Sequence, residues 1–321
     1  MKNVIVSPCL YFVLPCYNEE QCLKTTYKRL NEKMQELIDS KQVGQKSKIV
    51  FVDDGSRDNT WMIIEKLSNE EDNVIGVKLA HNVGHQNALY AGLMYAKDRS
   101  DITISMDADL QDNLSVVDGF LKKYAEGNEI VYGVRNSRKT DSVFKRTTAQ
   151  IFYKMMKFLG VDLIYNAADC RLMTKRALDE LANYSETNLF LRGLVPLIGL
   201  KNDTVGYKRD ERVAGKSKYP LKKMISFAWD GVTSFSIKPI RMILAMGIVV
   251  FFLSFVIMIY ALVMWATGNT VDGWTFTICS IWLVAGIQMI SLGLIGEYIG
   301  KIYSETKRRP RYFIEQTTTK E

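Results

Sequence analysis

The stretch Ile102-Thr103-Ile104-Ser105-Met106-Asp107-Ala108-Asp109 decides the fold of this chain. Its first five residues are rich in apolar side chains and predict a buried strand, and two carboxylates follow directly. Side chains two residues apart at the end of a strand can point into the same crevice. There they can hold a divalent metal against a diphosphate, because Mg²⁺ and similar cations prefer oxygen ligands. The stretch therefore predicts nucleotide-sugar chemistry.

Short apolar strands alternate with helical patterns on either side of this stretch. The spacing predicts strands over 10–14, 48–52, 74–79, 102–106 and 130–133, and helices over 21–39, 60–68, 85–97 and 115–124. A further short strand at 170–173 and a helix at 175–182 follow after a less regular segment. Such alternation predicts an α/β fold with a mostly parallel sheet, helices on both faces, and ligands bound at the carboxyl ends of the strands.

Two more acidic sites fall at predicted strand ends, namely Asn18-Glu19-Glu20 and Asp53-Asp54-Gly55-Ser56. Taken alone, the second is a good turn and helix cap, and a lone D-x-D is common on solvated loops. Their occurrence in order at three strand ends favours one shared site. In that site Asp53 can bond a ribose or base, Asp109 can ligate Mg²⁺ or Mn²⁺, and cations can come from three downstream residues, Arg212, Lys216 and Lys218.

Two histidines, His81 and His85, flank the turn Asn82-Val83-Gly84 between a predicted strand and helix. Their i, i+4 spacing would suit a metal pair on a continuous helix. Because they straddle a turn, a ligand contact or a helix cap is the better interpretation. The five cysteines lack C-x-x-C spacing, which suits reduced thiols and indicates neither zinc nor disulfides.

The last third of the chain has a different character. Residues 242–270 and 273–296 carry no charge over membrane-spanning lengths and are joined by a short link, which predicts a two-helix hairpin. Lys238 and Arg241 precede it and a basic cluster at 301–311 follows, so the positive-inside rule puts the N-terminal domain and both termini in the cytoplasm, at the cell membrane. The net charge of +7 suits an anionic leaflet, and nucleic acid is not an expected partner.

Between the two regions, apolar residues recur at helical spacing over 219–235 with polar residues on the opposite face. This predicts an amphipathic helix on the membrane surface. The chain then divides into a catalytic domain at 1–216, this juxtamembrane helix at 217–240, the hairpin at 241–300, and a basic cytoplasmic tail at 301–321.

Several motifs together resemble a known family. They are Pro15-Cys16-Tyr17-Asn18-Glu19-Glu20, Val52-Asp53-Asp54-Gly55-Ser56-Arg57-Asp58, Asn82-Val83-Gly84, Asp107-Ala108-Asp109-Leu110-Gln111-Asp112, Ala168-Asp169-Cys170-Arg171-Leu172-Met173, Glu211-Arg212-Val213-Ala214-Gly215-Lys216-Ser217-Lys218-Tyr219 and Gly296-Glu297-Tyr298. Over nearly its whole length the chain resembles the inverting family-2 glycosyltransferases of GT-A fold. Within these it resembles the polyprenyl-phosphate enzymes with a C-terminal membrane hairpin, such as bactoprenol glucosyltransferases and dolichol-phosphate mannose synthases.

The resemblance implies a role for each motif. The nucleotide-sugar pocket would be formed by Pro15, Tyr17, Glu19, Asp53, Asp54, Asp107 and Gln111. Asp109, with Asp107, would ligate Mg²⁺ or Mn²⁺. Asp169 would be a catalytic base or acceptor-positioning group beside Arg171 and Asp107. The diphosphate or the acceptor phosphate would meet Arg212, Ser217 and Lys218.

The implied reaction moves a hexose, glucose or N-acetylglucosamine, from a UDP-sugar to undecaprenyl phosphate, and gives a β-linked lipid for cell-envelope glycan modification. Two alternatives are a processive polysaccharide synthase, disfavoured because Gly193 follows Arg192 where a Q-x-x-R-W motif needs Trp, and a silent nucleotide-sugar-binding scaffold. The resemblance also suggests a homo-oligomer packed through the membrane helices, where Gly286, Gly293 and Gly296 allow close approach. The same glycines would equally serve packing within the hairpin.

Overall fold

A computed structural model describes residues 7–109, 111–135, 164, 166–187, 189–207, 238–267 and 273–319 of the chain. The predicted amphipathic helix at 219–235 lies outside these residues. So do three predicted site residues, Arg212, Ser217 and Lys218.

The centre of the protein is an eight-stranded sheet. Its strands are β1 Leu10–Cys16, β2 Lys48–Asp53, β3 Val74–Leu79, β4 Ile102–Ser105, β5 Ile130–Arg135, β6 Ala167–Thr174, β7 Asn202–Tyr207 and β8 Ile314–Thr317. The strand order is β7-β5-β6-β4-β1-β2-β3-β8. The block β4-β1-β2-β3 is parallel, whereas β6 is antiparallel to both β4 and β5, and β8 is antiparallel to β3. The predicted α/β class with a mostly parallel sheet is confirmed.

Helices cover both faces of the sheet. They are α1 Leu23–Asp39, α2 Thr60–Glu70, α3 His85–Ala96, α4 Val116–Ala125, α5 Lys175–Ala182 and α6 Leu191–Leu197. One apolar core lies beneath α1, α2 and α4, and the other lies beneath α3, α5 and α6. In α1 the buried Leu23, Tyr27, Leu30, Met34 and Leu37 recur every three or four residues, so one stripe of the helix faces the sheet.

Residue alternation along β6 assigns side chains to the two cores. Ala168, Cys170 and Leu172 belong to the core under α1, α2 and α4. Met173 belongs to the opposite core under α3, α5 and α6. Because strand side chains alternate, Asp169 and Arg171 lie on the face of the sheet that α3 and α6 cover.

The described C-terminal region contains two long apolar helices, α7 Lys238–Ala266 and α8 Trp274–Thr306. Both are long and apolar enough to cross a membrane, and their strongest windows, Lys238–Ile257 and Leu283–Thr306, are almost entirely unburied within the chain. Exposed Leu and Ile side chains along them therefore need an apolar environment. A side chain built at Gly286, Gly293 or Gly296 would meet no neighbouring atom, and the oligomer stays a prediction.

The chain returns from α8 to the sheet. Strand β8 follows the second long helix and pairs with β3, the edge strand of the parallel block, from Val77 with Thr317 to Leu79 with Ile314. The sequence patterns did not predict this strand, because four residues flanked by charged and polar side chains carry no clear apolar alternation.

The start of α4 lies where its sequence pattern indicates, but the side-chain contacts there differ from that pattern. Ser115, followed by Asp118 at the spacing of a capping box, indicates a helix start, and the helix does begin directly after Ser115. Ser115 precedes the helix but makes no side-chain capping bond. Asp118 is instead held by Lys33 of α1, whose Nζ lies 2.9 Å from both carboxylate oxygens. The nearly buried ammonium of Lys33 thus pairs with the Asp118 carboxylate, which the capping-box pattern would use at the start of the helix.

Candidate active site

The carboxyl ends of three parallel strands form the crevice that holds the predicted site. Cys16 pairs with Asp53 across β1 and β2, and Val13 pairs with Ser105 across β1 and β4. Asp107, two residues beyond Ser105, therefore follows the end of β4 at about the level of Pro15. This register places the three predicted acidic segments on one edge of the sheet, as expected for a parallel α/β sheet.

Asp53 ends β2 and is fully buried. Its Oδ1 accepts the Ser56 N–H at 3.3 Å, and its Oδ2 has no hydrogen-bond partner among the described residues. Burial raises the pKa of Asp53, and this effect outweighs the hydrogen bonds from Ser56, which lower it. A buried acceptor without a donor is costly, so Oδ2 fits a ribose hydroxyl or a base N–H of a bound nucleotide.

Asp54 has a different set of contacts. Its two carboxylate oxygens accept the N–H groups of Val83 at 2.7 Å and Gly84 at 3.1 Å. The Asn82 amide donates to the Asp54 carbonyl at 3.0 Å. Asp54 thus fixes the turn that leads into α3, and in this structure its carboxylate serves that turn. Its predicted contact with the nucleotide stays a prediction.

Gly55 allows this turn to approach β2 closely. It has φ of +65°, and a Cβ placed on it would lie 2.7 Å from the backbone nitrogen of Asn82 and 2.8 Å from the His81 carbonyl carbon. Only glycine tolerates both the left-handed backbone and this contact. The packing of the two turns brings His85, the first residue of α3, to the carboxyl edge of the sheet.

His85 meets two carboxylates there. Its Nε2 lies 3.7 Å from Asp107 Oδ1 and 3.5 Å from Asp169 Oδ2. One ligand atom from each of His85, Asp107 and Asp169 can be chosen so that all three lie within 4.8 Å of one another. Asp169 arrives on the antiparallel strand β6, where Arg171 pairs with Ser105 and so puts Asp169 opposite Asp107. Oxygen and imidazole donors at this spacing suit a divalent cation.

Arg192, at the start of α6, binds Asp169 on its other side. The Arg192 Nε lies 3.0 Å from Asp169 Oδ1, and its Nη2 lies 2.9 Å from Oδ2. This is a two-pronged guanidinium–carboxylate pair, which fixes the plane of the carboxylate as well as its charge. Asp169 itself is only 8% exposed.

The charges in this group perturb one another. Burial opposes ionisation of Asp169, but Arg192 and His85 outweigh it and hold the pKa of Asp169 well below its usual value. Burial also opposes the charged form of His85, yet Asp169 and Asp107 raise the pKa of His85 to about 9. Burial raises the pKa of Asp107 although His85 opposes it. At neutral pH the group therefore contains an ionised Asp169 between two cations.

Three predicted residues lie near the cluster without joining it. Asp109 Oδ1 accepts the Gln111 N–H at 3.2 Å, and Gln111 is buried with its Oε1 unpaired among the described residues. Arg171 is buried, with its guanidinium 5.2 Å from the ring centre of Tyr132. Three roles remain predictions: direct metal binding by Asp109, contact with the donor sugar by Gln111, and catalysis by Arg171.

The first predicted segment lies at the end of β1. Pro15 is within the strand and buried, and Tyr17 and Glu19 follow it with partial exposure. The Glu19 N–H donates to Thr60 Oγ1 at 2.9 Å, which ties this segment to the start of α2. The positions suit the predicted nucleotide pocket, and the contacts with a nucleotide remain predictions.

Sequence reasoning missed the contributions of His85 and Arg192. The prediction that His81 and His85 do not form a metal pair stays a prediction, and the cluster of possible ligands contains His85. His85 joins two aspartates from strands β4 and β6. In the sequence Arg192 belongs only to an incomplete synthase motif, and no local pattern links it to Asp169, 23 residues earlier.

Known proteins match this chain over nearly its whole length. The family described as Glycosyl transferase family 2 matches residues 11–182, and the GtrB C-terminal hairpin matches residues 238–302. The chain is 56% identical to the uncharacterized glycosyltransferase YkoT of Bacillus subtilis, over 96% of this chain and 91% of that protein. It is 37% identical to the prophage bactoprenol glucosyl transferase homolog of Escherichia coli, over 95% and 97% of the two chains.

Among solved structures, the mannosyltransferase PcManGT of Pyrobaculum calidifontis is 13% identical, with a TM-score of 0.43, over 95% of this chain and 88% of that one. The chain belongs to glycosyl transferase family 2. It is a glycosyltransferase with a C-terminal hairpin of the GtrB type and is membrane-associated.

Proposed function

We propose that this enzyme transfers glucose from UDP-glucose to undecaprenyl phosphate, with inversion at the anomeric carbon. The observation that carries the proposal is the convergence of His85, Asp107 and Asp169 at the carboxyl edge of a sheet whose chain continues into a membrane hairpin. Relatives at 36–37% identity named bactoprenol glucosyl transferases support both the lipid acceptor and glucose as the sugar.

The nucleotide would bind across the ends of β1 and β2. The unpaired Oδ2 of Asp53 would accept a hydrogen bond from the ribose or the base, and Pro15, Tyr17 and Glu19 would line the same pocket. The diphosphate would then reach the end of β4, where Asp107 and Asp109 follow the strand. Arg212, Ser217 and Lys218 would contact its remaining charge or that of the acceptor.

The residues at the end of β4 fit a divalent cation. Asp107, together with Asp109, offers the oxygen donors that Mg²⁺ or Mn²⁺ accepts in proteins, whereas His85, as a cation at neutral pH, offsets charge beside that site. Such an ion, when bound, would supply charge stabilisation for the departing diphosphate. Asp107 would therefore serve both to bind the donor and to hold its leaving group in place.

Asp169 would act by its position and charge. An acceptor phosphate monoester carries about −1.5 to −2 charge at pH 7, because its second pKa is about 6, so it needs little deprotonation. A carboxylate with a pKa well below its usual value is a weak base. We therefore assign Asp169 to orienting the reacting groups, with His85 and Arg192 offsetting its charge where two anionic substrates meet.

The membrane hairpin would hold this site at the surface where the prenyl phosphate presents its headgroup. The amphipathic helix at 217–240 and its lysines would lie on the same surface. Lys238 and Arg241 in the first turn of α7, and the basic cluster at the end of α8 and after it, would put the catalytic domain and both termini on the cytoplasmic side by the positive-inside rule.

The test is a transfer assay with the full-length protein in vesicles that contain undecaprenyl phosphate. Radiolabelled UDP-glucose, UDP-N-acetylglucosamine, UDP-galactose and GDP-mannose are supplied separately, and label in the lipid extract is counted with and without EDTA. We expect labelled lipid from UDP-glucose, loss of transfer with EDTA, and recovery with Mg²⁺ or Mn²⁺.

The product also separates the alternatives. One sugar per lipid, released by mild acid, supports the proposed reaction, and NMR of the anomeric proton reports inversion. Water-insoluble polymer would indicate a processive synthase. UDP binding without any product would indicate a silent binding protein and would contradict the proposal. If transfer is equal with and without EDTA, the proposed metal is contradicted.

A further inference from the structure

The ion pair between Asp169 and Arg192 depends on a loop that has no motif of its own. Arg192 is the second residue of α6, and residues 183–187 and 189–190, which we call the 183–190 loop, precede that helix. The Leu191 N–H at the start of α6 donates to Gln86 Oε1 at 3.1 Å. Gln86 is the neighbour of His85 on α3. The helix that carries Arg192 is thus tied to the helix that carries His85.

The segment that leaves the second membrane helix binds the same loop. We name residues 305–319 the terminal strap. Both carboxylate oxygens of Glu305, near the end of α8, accept the Thr187 N–H, at 2.9 Å and 2.7 Å. Further along, the Arg311 guanidinium donates to the Tyr184 carbonyl at 2.5 Å. Two charged side chains of the strap therefore hold two backbone groups of the loop.

Aromatic contacts attach the strap to α3 as well. Arg311 lies 4.5 Å from the ring centre of Tyr90, and Tyr312 meets the same ring edge-on at 6.3 Å. Tyr90 lies one helical turn after Gln86, so both face the loop and the strap from one side of α3. Stacked guanidinium and paired rings add attraction beyond their hydrogen bonds.

The far end of the strap is fixed to the sheet. Strand β8 pairs with β3, and Thr318 Oγ1 both accepts the Gly76 N–H at 2.8 Å and bonds Ser68 Oγ at 2.6 Å. The strap is consequently held at the membrane helix, at the loop and at the sheet edge. A segment fixed at three places can transmit the position of the hairpin to the loop.

We infer that Glu305 and Arg311 are positioning residues for the active site, because they hold the 183–190 loop so that Arg192 can fix the carboxylate of Asp169. The membrane hairpin then does more than anchor the enzyme, since its cytoplasmic end completes the site. The kinetic test of this inference, which measures kcat, rests on the proposed function. The hydrogen-exchange test does not, because it needs no substrate.

The kinetic test is a double-mutant cycle between Glu305→Ala and Arg192→Lys in the full-length protein. Arg192→Lys keeps the charge but loses the two-pronged contact, and we expect a fall in kcat of about 100-fold. Glu305→Ala should lower kcat about tenfold with a change in donor KM below about twofold. Because Glu305 acts through Arg192, adding Glu305→Ala to Arg192→Lys should cost less than about twofold more.

Glu315→Ala is the matched control. Glu315 lies in the same strap but pairs with Lys78 on β3, away from the loop, and it should leave kcat within about twofold of wild type. A full tenfold loss from Glu305→Ala in the Arg192→Lys background would overturn the inference, because it would show an effect independent of Arg192. An equal loss from Glu315→Ala would also overturn it, since the strap would then act only through overall stability.

Hydrogen exchange without substrate supplies the independent readout. In Glu305→Ala the amides of 184–191 should exchange faster than in wild type, whereas Glu315→Ala should leave them unchanged. Unchanged exchange in Glu305→Ala would refute the anchoring. If wild type transfers no sugar to lipid, the proposed function fails, and the exchange result still decides whether the strap holds the loop.

Discussion

The two sides of the candidate active site, named here for their proposed roles, are built differently. On the donor side, Asp53 and Asp107 stand at the ends of parallel strands, and Asp53 accepts a hydrogen bond from Ser56, three residues further on. On the acceptor side, Asp169 comes from an antiparallel strand and is held by His85 from α3 and Arg192 from α6. The donor side is thus a property of local motifs. The acceptor side is an assembly of distant segments that only the fold brings together.

The two sides also differ in what sets the pKa of their carboxyl groups. Asp53 is buried with one unpaired oxygen, so burial dominates and raises its pKa. Asp169 is almost as buried, but two cations reverse the effect of burial and lower its pKa. A carboxylate that binds a ligand can receive its hydrogen bonds from that ligand. A carboxylate that must stay ionised without a ligand needs cationic partners from the protein itself.

The strongest test of this comparison is Asp107→Asn, because Asp107 belongs to both sides. It follows β4 and also lies against His85, opposite Asp169. We expect the transfer rate to fall by about 1,000-fold or more, roughly 4 kcal/mol of transition-state stabilisation, as the leaving group loses its support. Steady-state transfer to lipid measures this, with thermal unfolding as the control for folding. Retention of a tenth of wild-type activity would remove Asp107 from the centre of the site.

Asp169→Asn tests the acceptor side, with an expected loss of about 100-fold in kcat. Because the pKa of Asp169 lies well below its usual value, the carboxylate stays ionised above that value and is neutralised only as the pH falls further. The variant should therefore lower the rate without changing an acidic limb, and it should move an alkaline limb to lower pH, because His85 loses the partner that helps raise its pKa to about 9. An acidic limb present in wild type and absent from the variant would show that Asp169 is a general base.

Asp53→Asn tests the donor side, where the expected effect is on binding. The donor KM should rise about tenfold, since a hydrogen bond to a charged group contributes about 1.5–3 kcal/mol, while kcat changes by less than about threefold. Kinetics at saturating acceptor separate the two constants. A change confined to kcat would mean that Asp53 serves the chemical step, and the contrast between the two sides would then fail.

The smallest expected effect lies outside both sides. Asp118→Asn removes one carboxylate from Lys33, which keeps Glu36 at 2.9 Å. Stability should fall by about 1 kcal/mol, and transfer should stay within about twofold of wild type, because the Asp118 carboxylate is half exposed and Lys33 keeps its pair with Glu36. Thermal unfolding and the lipid assay measure the two quantities. A tenfold loss of transfer would connect the α1–α4 contact to the site.

Much of the parallel half could be predicted from the sequence. The strand β4 and the helix α3 were predicted within one residue or so of their ends, because strong apolar patterns and turn residues mark them. The acidic residues at the strand ends were expected on one edge, and the register places them there. The capping-box spacing marked the start of α4 correctly, but it did not reveal that Asp118 pairs with Lys33 of α1, a partner distant in sequence.

The sequence by itself determined the α/β class, the two apolar helices and the acidic edge of the sheet. Each of these follows from the periodicity or spacing of neighbouring residues, which is local information. Only the tertiary structure decided that His85 and Arg192 hold Asp169, that β8 returns to the edge of the sheet, and that Glu305 binds the loop before α6. These contacts join residues far apart in the chain, and Thr318 and Gly76, for example, are 242 positions apart. They form because pairing a buried charge or an edge strand lowers the free energy wherever the partner lies in the chain.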